Sequence, residues 1–162
     1  VAVAVGLWSV GSSGSVTDAG QTAQAPAAGS ARDRIVMALV GALADPDREV
    51  RRQAADTLAS MSDPRIVDPM IRLLKDEDVE IRRRAADVLG DLEDRKAVPA
   101  LIDALKDADV DVRVHAAESL GELGDRRALE PLMAALEDEH AGVRRQAIES
   151  LGDLGSEDRE EN

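Results

Sequence analysis

A chain of 162 residues with 33 acidic and 20 basic side chains carries a formal net charge of −13, which opposes nonspecific binding to nucleic acid or to an anionic membrane. Cysteine, phenylalanine and tyrosine are absent and Trp8 is the one tryptophan, so disulfides and thiolate chemistry are excluded. The core must come from Leu, Ile, Val, Met and Ala, which suits close-packed helices better than a β-sandwich; with two histidines, no histidine-based metal site is expected.

Residues 1–31 differ from the rest. They open with "VAVAVGLWSV", an apolar run too short for a bilayer, which takes roughly twenty residues to cross. "GSSGSVTDAGQTAQAPAAGSA" follows and reads as a flexible linker. Two readings stand side by side. In one, the run ends a signal peptide or membrane anchor that began upstream, with "AQA" (Ala23–Ala25) as a small-residue cleavage site. In the other, it is a tail that docks on the first folded unit. An exported or anchored location and a cytoplasmic one therefore both stay open, and the Val1 start points to a processed form or a fragment.

From Arg32 to Gly155 the sequence repeats every 31 residues, in blocks 32–62, 63–93, 94–124 and 125–155; residues 156–162 form an acidic tail. Such a period marks stacked repeats. Five positions are identical in all four blocks: Leu43, Leu74, Leu105 and Leu136; Asp45, Asp76, Asp107 and Asp138; Arg51, Arg82, Arg113 and Arg144; Ala54, Ala85, Ala116 and Ala147; and Leu58, Leu89, Leu120 and Leu151.

Each block reads as a helical hairpin. In its first half, Val98, Leu101, Ile102 and Leu105 form one apolar stripe at helical spacing, with Pro69, Pro99 and Pro131 early in the helix, where proline is tolerated. The second half opens on Asp47, Asp78 or Asp109, each able to cap free amides of the first turn; His140 replaces the Asp in the last block and predicts a weaker cap. Gly90, Gly121 and Gly152 are expected to stop the second helices in the left-handed conformation. One hairpin cannot bury both faces, so the expected fold is all-α: a curved α-solenoid of four hairpins with a continuous core.

The pattern "LKDADVDVRVHAAESLGELGDRRALEPL" resembles the HEAT repeats of the short bacterial, phycobilin-lyase-like type over residues 32–155. The resemblance implies that the repeated Asp (45, 76, 107, 138) and Arg (51, 82, 113, 144) form a structural hydrogen-bonded ladder along the turns rather than a ligand site. It also implies that the second helices line the concave face.

On that face Arg52, Arg83 and Arg145 at one repeat position, with Arg84 and His115 at the next, predict a partly basic band, beside an acidic row of Asp56, Asp87, Glu118 and Glu149. Ion pairing on a solvated helix accounts for such residues, and so does a groove for a protein or peptide.

Catalysis is not expected. Relatives that hydroxylate deoxyhypusine hold iron through His-Glu pairs, and this chain has no "HE" dipeptide; relatives that excise bases use a basic, aromatic surface, whereas the repeats hold 19 basic against 28 acidic residues and no aromatic ring. The expected role is a noncatalytic scaffold that binds protein or peptide without a cofactor or metal. Two alternatives are the regulatory or sensory end of a larger membrane-anchored peptidase or receptor, and an accessory factor in enzyme or cofactor assembly. Both ends of the array look uncapped, which points to further repeats, docking of the apolar run, or end-to-end self-association.

Overall fold

The computed structural model describes residues 30–157; residues 1–29 and 158–162, with the apolar run, most of the linker and most of the acidic tail, lie outside the described residues. Eight α-helices and no strands occur among the described residues: α1 (Ala31–Ala42), α2 (Arg48–Ala59), α3 (Val67–Leu73), α4 (Val79–Asp91), α5 (Val98–Ala104), α6 (Val110–Glu122), α7 (Leu129–Ala135) and α8 (Ala141–Glu157).

Capping chemistry sets most of the helix starts. Ser30 and Asp33 exchange side chain-to-backbone hydrogen bonds in a capping box that opens α1. The Asp47, Asp78 and Asp109 carboxylates accept from Glu49, Glu80 and Asp111 N–H at 2.8–2.9 Å. At the fourth start, Gly142 N–H reaches His140 Nδ1 at only 3.4 Å, a longer and weaker bond. The later first helices each begin with a short 3-10 turn capped by Asp63, Asp94 or Asp125. Pro69, Pro99 and Pro131 lie in the first turn of the helix that follows, where no backbone donor is needed.

The first and second helices of each hairpin pack together, and successive second helices also lie directly against each other, α2 on α4, α4 on α6 and α6 on α8. The first helices α3 and α5 instead touch the 3-10 turn of the following repeat. The second helices are thus the more closely spaced layer, which puts them on the inside of the curve. Leu58, Leu89, Leu101, Leu120 and Leu132 fill the seam between the layers and are fully buried.

The glycines do not stop the helices as their spacing predicts. Gly90 and Gly121 lie within α4 and α6, and the left-handed residues come three positions later, at Ser62 (φ 44°), Glu93 (φ 52°) and Gly124 (φ 58°). The reason for glycine is close approach. Ser119 of α6 packs on Gly90 and Ser150 of α8 on Gly121, while the two serine hydroxyls donate to the Ala86 and Ala117 carbonyls at 2.8 Å. A Cβ on Gly121 would lie 2.9 Å from the Ser150 Cα, a backbone atom that cannot rotate away. A Cβ on Gly152, in the last repeat, would meet nothing within 4 Å among the described residues. Gly121→Ala should therefore destabilise by about 1–3 kcal/mol despite its better helix propensity, whereas Gly152→Ala should stabilise by about 0.5–1 kcal/mol. Urea denaturation of the two variants checks the opposite signs; equal effects would refute the close-approach account.

Candidate functional site

The ladder residues occupy the turns between first and second helices. Arg51 Nε and Nη2 donate to both oxygens of Asp76 at 2.9 and 3.0 Å, and its Nη1 donates to the Asp45 and Pro46 carbonyls. Arg82 repeats this with Asp107, and Arg113 with Asp138. Each guanidinium thus joins its own turn's carbonyls to the next repeat's aspartate, rather than bridging the carboxylates of two successive repeats; Arg51 Nη2 also donates to Glu77 of that next repeat at 3.2 Å. The carboxylate in turn accepts the N–H two residues on, as Asp107 does from Asp109 at 2.9 Å. Burial pushes the Asp107 carboxyl up, but the hydrogen bonds from Arg82 and from the Asp109 N–H outweigh it and hold the group below its usual range. In these three rungs both partners are committed to the turn; of the other ladder residues, Arg144 makes only its two carbonyl bonds and Asp45 accepts only the Asp47 N–H among the described residues.

The inner face is built differently from the expected pair of bands. Arg52 and Arg83 turn back along their own helices onto Glu49 and Glu80, three residues earlier. Arg84 crosses between repeats instead, bonding to Asp56 of α2 at 3.1 Å and to Asp87 of its own helix at 2.6 Å. His115 occupies the equivalent place in α6, with Nδ1 3.8 Å from Asp87 and 3.6 Å from Glu118; that nitrogen is buried and makes no hydrogen bond. The structure therefore gathers Asp56, Arg84, Asp87, His115 and Glu118 into one run of contacts across three repeats. Arg145 and Glu149 of α8 are exposed and stand outside it.

A second acidic row, missed in the sequence, flanks the first: Asp91, Glu122 and Asp153, four residues beyond Asp87, Glu118 and Glu149 and so one turn along on the same side. Its signal was available, since the position is acidic in three of the four blocks and Ser60 in the first. Burial raises the Glu122 carboxyl above its usual range, helped by the charges of Glu118, Asp91, Asp87 and Asp153. With Arg52, Arg83 and Arg84 held in internal pairs, the inner surface of α4, α6 and α8 presents the exposed carboxylates Asp91, Glu122, Glu149 and Asp153 beside a single exposed arginine, Arg145, among the described residues.

Among the described residues no group of three or more His, Cys, Asp or Glu is arranged to hold a metal ion, and no helix is long and apolar enough to cross a membrane.

Known structures share this architecture. The complex of CpcE and CpcF of phycocyanin lyase from Nostoc is similar at 31% identity over 76% of this chain and 54% of that one, with a TM-score of 0.68. Human deoxyhypusine hydroxylase in complex with glycerol is similar at 26% identity over 80% and 46%, with a TM-score of 0.69. An engineered protein matches at 25% identity over 75% and 62%, with a TM-score of 0.60. The chain thus spans about half the length of the first two. No curated protein sequence matches it. The family model for HEAT repeats matches residues 36–113 and 98–160. Hairpins stacked through a repeated Arg–Asp ladder, with the second helices inside, are its architectural counterpart, and this chain belongs to the HEAT-repeat family.

Proposed function

We propose that residues 32–155 act as a noncatalytic scaffold that binds a protein or peptide along the inner face of the second helices, and that the partner's contacting segment is basic. The observation that carries this reading is the consumption of Arg52, Arg83 and Arg84 by internal ion pairs, which leaves Glu118, Glu122, Glu149, Asp91 and Asp153 facing outward. Complementary charge gives such a face faster association and partner discrimination. The His115–Glu118 pair lies on this open surface instead of in an enclosed pocket, which favours recognition over acid–base chemistry. The similarity to a complex of two lyase subunits favours, as a second reading, an accessory role in enzyme or cofactor assembly, with a protein partner again on the scaffold.

Glu118→Gln/Glu122→Gln tests the face without disturbing the core. A lysine-rich peptide followed by fluorescence anisotropy should bind the native chain in a salt-dependent way and the double variant about three- to tenfold more weakly. The same variant should unfold at a higher temperature at neutral pH, since it removes a like-charge pair one helical turn apart, worth about 0.2–0.5 kcal/mol. The sign follows from the raised Glu122 carboxyl: a folded value above the unfolded one makes the ionised form a liability, so the gain fades as the pH falls through the raised value. Peptide binding that is absent, or equal in both proteins, would refute the acidic-face reading.

A further inference from the structure

The two ends of the array each expose one half of the interface that joins its repeats. At the first-repeat end, Ile35 is 51% and Val50 41% exposed. Their equivalents in every later repeat are buried against the preceding one: Ile66, Ala97 and Ala128 for Ile35, and Ile81, Val112 and Val143 for Val50. At the last-repeat end, Leu129 is 42% and Ile148 61% exposed. Their equivalents in the earlier repeats are likewise buried: Val36, Val67 and Val98 for Leu129, and Ala55, Ala86 and Ala117 for Ile148.

Polar features match in the same way. Arg144 donates to the Asp138 and Glu139 carbonyls like the other ladder arginines, but among the described residues no carboxylate of a following repeat meets it. Asp45 accepts the Asp47 N–H like the other ladder aspartates, but among the described residues no arginine reaches it. Gly152 lies open where Gly90 and Gly121 receive a serine, and Thr57 is the residue equivalent to those serines. Leu39, Ala42, Val50, Ala54 and Thr57 also line an apolar cleft of about 350 Å³ at the first-repeat end.

We infer that these two faces dock on each other, so that a second copy of this chain adds head to tail. Arg144 of one copy takes Asp45 of the next as its ladder carboxylate, Gly152 receives Thr57, and Leu129 and Ile148 cover Ile35 and Val50. The last turn of α8 gives way at Gly155, which stands at the position of left-handed Gly124 and turns there at little cost. The contact is heterologous, because different surfaces meet, so association continues past two copies instead of closing as a symmetric dimer.

Sedimentation equilibrium of the full 162-residue chain tests this. The weight-average mass should rise with concentration beyond that of a dimer. Ile148→Glu alters one face and Val50→Glu the other, both at exposed sites that leave the fold intact. Each variant alone should stay monomeric, and an equal mixture should form a complex of two copies and stop, since only one productive contact remains. Arg144→Ala should weaken association by about tenfold or more. A monomeric native chain would overturn the inference, and so would a mixture that stays monomeric or a variant that dimerises with itself. If Val50→Glu instead shifts the emission of Trp8 in a monomeric chain, the N-terminal apolar run occupies this face, and the second copy is refuted.

Discussion

Leu120→Ala is expected to lower the unfolding free energy by about 2–5 kcal/mol. Leu120 is fully buried in α6, which packs on both α4 and α8. Truncation removes apolar contacts and leaves a cavity bounded by helix backbones that Ser119 and Ser150 already hold at their closest approach. Collapse is therefore restricted, and the cavity cost is kept. Leu151 supplies the control, because it is the same residue at the equivalent position of α8 and only partly buried. Leu151→Ala should cost about half as much. In a linear array the site of the lesion also matters: a central defect weakens the coupling between the two ends, so Leu120→Ala should broaden the urea transition while Leu151→Ala leaves it sharp. Equal costs for the two leucines would show that stability does not depend on stacking.

That contrast rests on a pattern visible before any coordinates. The invariant Leu, Ala, Asp and Arg positions recur because every interior repeat meets the same neighbours, so periodicity carries the architecture and three of the four second-helix caps. What periodicity does not carry is the distance between helices. Gly90 and Gly121 read as helix stops because glycine tolerates a left-handed backbone, yet their role is set by Ser119 and Ser150, 29 residues further on, and appears only once the spacing of the inner helices is known. The inner face was legible in composition but not in pairing. Arg83 and Arg84 are adjacent in sequence, but the turn of the helix sends one back to Glu80 and the other across to Asp56. A residue's choice between a partner on its own helix and one on the next depends on the lateral offset of the repeats, which no local pattern encodes. The same holds for the end faces: Val50 is exposed where Ile81, Val112 and Val143 are buried, and Ile148 stands exposed where the earlier repeats carry the buried alanines Ala55, Ala86 and Ala117.

Arg113→Ala is expected to cost about 3 kcal/mol, because it removes a whole ladder rung from a nearly buried site. The guanidinium donates to both oxygens of Asp138 at 2.9 and 3.1 Å, and to the Asp107 and Ala108 carbonyls at 2.9 and 3.3 Å. Its loss strands the Asp138 carboxylate, which keeps only the His140 N–H, and frees two turn carbonyls together. Arg144→Ala separates these terms, since Arg144 has the carbonyl contacts without a carboxylate in the next repeat; it should cost about 1 kcal/mol. Arg113→Lys should fall between them, because an ammonium cannot grip a carboxylate with two parallel bonds while also reaching the carbonyls. The pH dependence identifies the charge. Hydrogen bonding to Arg113 holds the Asp138 carboxyl below its usual range. A depressed carboxyl stabilises the fold above its unfolded value of about 3.9 and loses that contribution as the pH falls through the lower folded value. The stability gap between the native chain and Arg113→Ala should accordingly be full at neutral pH and narrow below about pH 4. A gap independent of pH would mean that Arg113 serves the turn through its carbonyl bonds alone, and that the coupling between repeats is carried by apolar contact.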